Sequence, residues 1–325
     1  MNKVALFDSK SYDEEFFEKY AAEHGLELTY HESKLTSKTC VLAEDAEAVI
    51  AFVNDDLCAK TIDKLHSMGV KAIAMRSAGY NNVDLKRAKE LMKVYRVPAY
   101  SPNSVAEHAM AMLLCLVRKI HRAHNRVREF NFGLKGLMGF DLFRKKMGVV
   151  GTGKIGQCFI DICKGFGMEI LAYDPYPADR DDIKYVEKEV LFRESDIIAL
   201  HCPLTRDNHY IINKGSLRMM KEGVYIVNTS RGALIDTDAL LDAIKNGTVA
   251  GACLDVYEEE SDVFFEDMSE VVINDDTLRL LISNNNVLLT SHQAFFTSEA
   301  IDTIALTTVK NLRDFFDNKP NDNEL

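Results

Sequence analysis

The run Gly151-Thr152-Gly153-Lys154-Ile155-Gly156 constrains this chain more than any other stretch. It follows the apolar run Met147-Gly148-Val149-Val150 and opens a helical pattern from Lys154 to Gly165. Eighteen residues past Gly156 stands Asp174, at the end of a second apolar run, Ile170-Leu171-Ala172-Tyr173. Strand, glycine turn, helix, strand and acid, in that order, are the elements of a dinucleotide site in a doubly wound α/β fold. Gly151 permits the tight turn, Gly153 lets a pyrophosphate approach the backbone, and Gly156 lets helix and strand pack closely. Free N–H groups at the helix start attract phosphate charge. Asp174 can accept both ribose hydroxyls and would repel a 2′-phosphate, so the expected cofactor is NAD.

At 325 residues the chain has room for two domains, each with its own core. The net charge of −11 argues against a phosphate backbone as partner, so no nucleic acid is expected. One basic stretch stands apart: Arg118, Lys119, His121, Arg122, His124, Arg126 and Arg128. It reads as a solvated or subunit-facing helix surface. Cys40, Cys58, Cys115, Cys158, Cys163, Cys202 and Cys253 contain no CxxC pair, and several sit in apolar runs. That is the usage of buried thiols in a reducing compartment. No metal-ligand spacing is evident. The longest apolar run, Ala109 to Val117, is far short of the roughly 20 residues that span a bilayer. The amino terminus turns acidic at Asp8 before any signal-type core develops. A cytoplasmic protein with no membrane partner is expected.

Apolar runs alternate with helical patterns along most of the chain, as in parallel sheets covered on both faces. Strands are expected at Val4–Phe7, Ala48–Val53 and Lys71–Met75, with a helix over Leu57–Met68. The prolines at 98 and 102 mark extended chain. Ser104 and Glu107 have capping-box spacing ahead of a long apolar helix. Beyond it, strands are expected at Met147–Val150, Glu169–Tyr173, Ile197–Leu200, Val224–Asn228, Ala250–Asp255 and Val287–Thr290. Asp236 is the expected N-cap of a helix ending at Asn246-Gly247. Asp255 to Asp276 is acidic and irregular. A last amphipathic helix, Ser298–Phe316, is placed to return to the first domain. The expected division is therefore 1–100 with 297–325, and 101–296.

Ligands in doubly wound sheets sit beyond the carboxyl ends of the strands. Arg231, Asp255, Glu260 and His292 all follow such ends. Each has an ordinary alternative: a surface arginine, a solvated acidic loop, a structural histidine. Together they suit hydride transfer to a 2-keto acid. A planar guanidinium grips a carboxylate at two points. An imidazolium protonates the alkoxide that hydride addition creates. A carboxylate beside the ring orients it and favours its charged form. Glu258, Glu259 and Glu260 are adjacent, and spacing alone leaves the choice among them open.

Several stretches carry a resemblance. They are Arg76 to Asp84, Tyr100-Ser101-Pro102, Ala106 to Ala109, the glycine turn, His201 to Thr205, Asn228 to Gly232, Leu254 to Glu258 and Ser291 to Phe295. In this order the chain resembles the D-isomer-specific 2-hydroxyacid dehydrogenases, most nearly their NAD-dependent, fermentative D-lactate branch from bacteria. The resemblance implies an α/β fold of two doubly wound parallel-sheet domains, a Rossmann-type nucleotide domain and a flavodoxin-like substrate domain. It implies that Arg231 binds substrate, Glu260 pairs with the acid and His292 donates the proton. Implied NAD contacts are Lys154, Ile155, Asp174, Cys202, Pro203, Asn208, Thr229, Ser230 and Asp255. The backbone at Ala78 and Gly79, with the Tyr100 hydroxyl, would hold the substrate carboxylate. Phe52 and Phe295 would leave little room beyond a methyl group. A homodimer or higher homo-oligomer is implied. The expected activity is reversible, NADH-dependent reduction of pyruvate to D-lactate. The alternatives are a larger 2-keto acid as substrate, or a nucleotide-sensing binding protein of the corepressor kind.

Overall fold

The computed structural model describes residues 1–260 and 263–325. Its contacts divide the chain into two compact units. Unit 1 is Met1–Ser101 with Phe296–Leu325, and unit 2 is Pro102–Phe295.

Unit 1 is built from β1 (Asn2–Leu6), α1 (Ser11–Ala21), β2 (Leu26–Tyr30), β3 (Ala48–Ala51), α2 (Ala59–Ser67), β4 (Ala72–Met75), α3 (Leu85–Leu91) and β5 (Lys93–Tyr95). The strands form one parallel sheet in the order β2-β1-β3-β4-β5. β3 and β4 are buried at every residue because both faces are covered. Alternate side chains feed two cores. Val4, Leu6, Ala48, Ile50, Ala72 and Ala74 pack with Phe17 of α1 and with Ala305, Val309 and Leu312 of the carboxy-terminal helix. Ala5, Phe7, Val49, Ala51, Ile73 and Met75 pack with Ile62 and Leu65 of α2. Asp302 of the carboxy-terminal helix accepts from Lys19 and Tyr20 of α1. β2 and β5 escape a sequence reading: β2 has an alternating, half-exposed edge pattern and β5 is three residues long.

Unit 2 opens with α4 (Pro102–Val117) and α5 (Ile120–Arg128). α4 starts at Pro102, whose fixed φ suits the first helical position. Ser104 therefore lies inside the first turn and not at the N-cap position that its spacing suggested. α5 carries His121, Arg122, His124, Arg126 and Arg128 of the basic stretch and has no buried residue. Next come β6 (Lys146–Val150), α6 (Lys154–Gly165), β7 (Glu169–Tyr173), α7 (Lys188–Glu194), β8 (Ile197–Leu200), α8 (Lys214–Leu217), β9 (Val224–Asn228), α9 (Thr237–Asn246), β10 (Val249–Leu254), α10 (Asp276–Ser283) and β11 (Val287–Leu289). α11 (Ser298–Phe316) is the carboxy-terminal helix of unit 1. Asp236 caps α9 by accepting from the Ala239 amide, and Gly247 ends it at φ +87°. Residues 261 and 262, within the acidic stretch, lie outside the described residues.

The six strands are parallel, in the order β11-β10-β9-β8-β6-β7. A single parallel bridge joins Ala172 of β7 to Tyr185. The order reverses between β6 and β8, which is where a doubly wound sheet binds its ligand. One core packs Val150, Leu200, Ile226 and Leu254 against α7 and α9. The other packs Met147, Val149, Ala199, Val227 and Cys253 against α4 and α6.

His201 follows β8 at this reversal. It is buried, lies 4.6 Å from the Phe159 ring, and among the described residues neither ring nitrogen has a hydrogen-bond partner. Burial lowers its pKa from 6.5 to about 4, so the ring folds neutral. The unfolded chain then takes up the proton first, and stability falls as pH drops from 6.5 toward 4. In urea titrations across that range the parent should lose about 3 kcal/mol more than His201→Leu. Parallel curves for the two proteins would contradict this.

Candidate active site

Gly151 ends β6 at φ +96°, and a Cβ there would sit 2.6 Å from the His201 carbonyl carbon and oxygen. The first residue of the turn is therefore glycine by necessity. Gly156 packs against the Gly151 carbonyl with no room for a side chain, whereas Gly153 faces open space. No side chain caps α6 at Gly153, so the first amides of the helix, including those of Lys154 and Ile155, remain available to an anion. Asp174 follows β7 and is tied to the same turn. Its Oδ2 accepts from the Thr152 amide at 2.6 Å and its Oδ1 from the Tyr176 amide at 2.8 Å. The Thr152 hydroxyl accepts in turn from Tyr185. Cys202 and Pro203 follow β8, and Asn208 closes their loop by donating to the Pro203 carbonyl at 2.6 Å. Thr229 and Ser230 follow β9. Ser230 Oγ donates to the Leu200 carbonyl at 2.9 Å, and the buried Thr229 Oγ1 has no partner among the described residues.

The remaining polar groups follow β9, β10 and β11. Arg231 follows β9, and its Nη1 donates to the Ser230 carbonyl at 2.7 Å. Glu260 lies beyond β10. Its Oε1 is 2.7 Å from His292 Nδ1, and its Oε2 accepts from the Tyr257 amide at 2.9 Å. Against a carboxylate, Nδ1 carries the hydrogen, which leaves Nε2 as the outward nitrogen. The choice among adjacent glutamates is resolved by geometry. Glu258 is engaged elsewhere, by the hydroxyls of Tyr210 and Thr237. Glu259 is exposed. The Phe265 ring lies 5.8 Å from that of His292.

His292 adopts the left-handed φ of +52°, uncommon for a residue other than glycine. Asp255, at the end of β10, holds it there. The Asp255 carbonyl accepts from the His292 amide at 2.6 Å. Its carboxylate accepts from the Gln293 amide at 3.0 Å, the Ala294 amide at 2.8 Å and the Thr290 hydroxyl at 2.5 Å. His108 of α4 lies 3.4 Å away. Burial by itself would raise this carboxyl, but His108, Thr290 and Ala294 together hold it below its ordinary value. Among the described residues the arrangement is that of a glycine turn with free amides, an acid tied to that turn and an oriented imidazole along one sheet edge.

Residues 110–294 match the family model described as the NAD binding domain of D-isomer specific 2-hydroxyacid dehydrogenase. The chain is 49% identical to D-lactate dehydrogenase of Escherichia coli (strain K12), covering 99% of each. It superimposes on Salmonella D-lactate dehydrogenase with a TM-score of 0.88 at 48% identity, over 99% of each chain. The D-lactate dehydrogenase of Aquifex aeolicus, solved with NAD and lactic acid, gives 0.85 at 34% identity, over 97% of this chain and 96% of that one. The chain belongs to the D-isomer-specific 2-hydroxyacid dehydrogenases.

This 2-hydroxyacid dehydrogenase uses NAD, and unit 2 fits that cofactor. The uncapped start of α6, the open space at Gly153 and the orphaned Thr229 hydroxyl are all features a bound dinucleotide would complete. The other expected site residues also lie past strand ends. Within unit 1, Phe52 follows β3, Ala78 and Gly79 follow β4, and Tyr100 follows β5. Ser77 Oγ donates to the Gly79 carbonyl at 2.7 Å and shapes that turn. Phe295, in unit 2, is buried beside the Asp255-bound loop. The part played by Asp255 in holding that loop, and of His108 behind it, is not visible in sequence, because the partners are distant along the chain.

Asp255→Asn would face at least one of these amides with a donor. A hydrogen bond to a charged group contributes about 1.5–3 kcal/mol. Hydrogen exchange in 291–296 should then quicken by about tenfold or more, with the rest of unit 2 unchanged. Parent-like protection of that segment would refute the assignment.

Proposed function

We propose that this dehydrogenase reduces pyruvate to D-lactate with NADH, with His292 as acid/base and Arg231 as substrate anchor. The observation that carries the proposal is the 2.7 Å pairing of His292 Nδ1 with Glu260 on a loop locked by Asp255. A proton donor must keep its reactive nitrogen in place and its charge stabilised, and this arrangement meets both needs. The D-lactate dehydrogenases among the relatives support both the substrate and its hand.

In the proposed cycle, Gly151, Gly153, Lys154, Ile155 and Gly156 hold the cofactor's pyrophosphate, and Asp174 its adenosine ribose. Cys202, Pro203, Asn208, Thr229, Ser230 and Asp255 line the rest of its path. When bound, the reduced nicotinamide supplies a hydride to the keto carbon. The backbone of Ala78 and Gly79 and the Tyr100 hydroxyl hold the substrate carboxylate. Arg231 grips that carboxylate or the carbonyl oxygen and draws negative charge toward itself. His292 Nε2 hands its proton to this oxygen. Glu260 stabilises the ring before the transfer and fixes it after. In the reverse direction Nε2 removes the hydroxyl proton. Phe52 and Phe295 close the pocket beyond the methyl group and make a short 2-keto acid the preferred substrate.

The test is turnover of the purified protein with pyruvate, first with NADH and then with NADPH, followed by chiral analysis of the product. The expected results are D-lactate as product and strong preference for NADH, because Asp174 would repel a 2′-phosphate. His292→Gln should lower kcat by about 10²–10⁴-fold with NADH binding retained. L-lactate, no product, or a near-normal kcat in the variant would overturn the proposal.

A further inference from the structure

Unit 1 contains a buried arginine to which the proposed chemistry gives no task. Arg76 follows β4 and is 3% exposed. Its Nη1 donates to Asp13 Oδ1 at 3.2 Å, and its Nη2 to the Asp8 carbonyl at 2.6 Å. Its guanidinium carbon lies 4.1 Å from the centroid of the Phe52 ring. Burial raises the pKa of the nearby Tyr12 hydroxyl, and the Arg76 charge opposes that rise. The Tyr12 ring meets Phe296 edge-on, with centroids 4.7 Å apart. Arg76 and Phe52, which follow β4 and β3, thus stack at the carboxyl ends of neighbouring unit 1 strands.

A guanidinium is costly to bury, and one acid partner rarely offsets that cost. Packing alone would be met as well by a leucine or methionine. The distinctive property of this arginine is its planar charge over an aromatic face, an attraction that strengthens when water is excluded. The backbone of Phe52 is held independently. Its amide donates to Asp55 Oδ2 at 2.6 Å, and its carbonyl accepts from Asn82 Nδ2 at 2.8 Å. With the backbone pinned, the ring's remaining freedom is its side-chain rotation, and Arg76 covers one face of it. Asp13 and the Asp8 carbonyl aim the guanidinium.

We propose that Arg76 is a positioning residue that sets substrate size by holding the Phe52 ring as the wall beyond the substrate's methyl group, which rests on the proposal that Phe52 lines the pocket of a 2-keto acid reductase. Freed from Arg76, the ring would rotate and admit longer side chains. Transition-state contacts at the reacting carbon would be untouched.

The test compares kcat/KM for pyruvate and for 4-methyl-2-oxopentanoate, with NADH, in the parent, Arg76→Lys, Asp13→Asn and Phe52→Leu. Lysine keeps the charge near Asp13 but loses the planar stack. Arg76→Lys should lower the preference for pyruvate by roughly three- to tenfold. The change should come mainly from a lower KM for the longer acid, with kcat for pyruvate held within about twofold. Asp13→Asn preserves volume and should shift the preference in the same direction. It decides the matter if Arg76→Lys does not fold. A purely structural arginine would instead lower both substrates alike, and that result overturns the inference. So does an unchanged preference in Arg76→Lys and Asp13→Asn while Phe52→Leu relaxes it. If Phe52→Leu itself leaves the preference unchanged, the proposed pocket fails and the inference with it.

Discussion

The nucleotide unit depends on one constraint: its strands run parallel, so each delivers its carboxyl end to the same edge. The glycine turn follows β6, Asp174 follows β7, and the loop from His201 to Asn208 follows β8. Arg231 follows β9, Asp255 and Glu260 follow β10, and His292 follows β11. A sheet with alternating strands would send half of these to the opposite edge. Parallel strands must be buried on both faces, and this explains the continuous apolar runs that precede each polar group. Fold and site are therefore consequences of one arrangement.

Along that edge, a hierarchy of hydrogen bonds turns proximity into orientation. Asp255 is buried, and its charge is stabilised by two loop amides, a hydroxyl and His108. Those bonds hold His292 in a left-handed backbone conformation it would not adopt unaided. Glu260, anchored by the Tyr257 amide, then fixes the ring's rotation. The neighbours of each acid decide what its carboxylate can hold. Glu258, two residues away, is excluded for the same reason: Tyr210 and Thr237 claim it.

Much of this was legible in the amino-acid sequence. Glu169–Tyr173, Ile197–Leu200 and Val224–Asn228 are strands at the expected residues, because each is a short apolar run too brief for a core helix and set between helical patterns. β2 was not legible, since Glu27 and Thr29 interrupt its apolar residues on an exposed edge. Ser104 resembled a helix cap because Thr/Ser-x-x-Glu spacing is local, while Pro102 had already started the helix. The candidate site residues, and the pairing of Glu260 with His292, could be listed from spacing and family likeness, but not the contacts that hold them in place. Asp255 meets Ala294 across 39 residues, and Arg76 meets Asp8 across 68. Only the folded sheet joins such positions.

The central claim is that Glu260 acts through His292 and not on the substrate. A double-mutant cycle in pyruvate reduction tests this most directly, with kcat/KM measured for the parent, His292→Gln, Glu260→Gln and the double variant. Glu260→Gln should slow the parent markedly and have almost no further effect once His292 is glutamine. Additive losses in the double variant would mean that the two residues act independently, and would contradict the pairing as the basis of the chemistry.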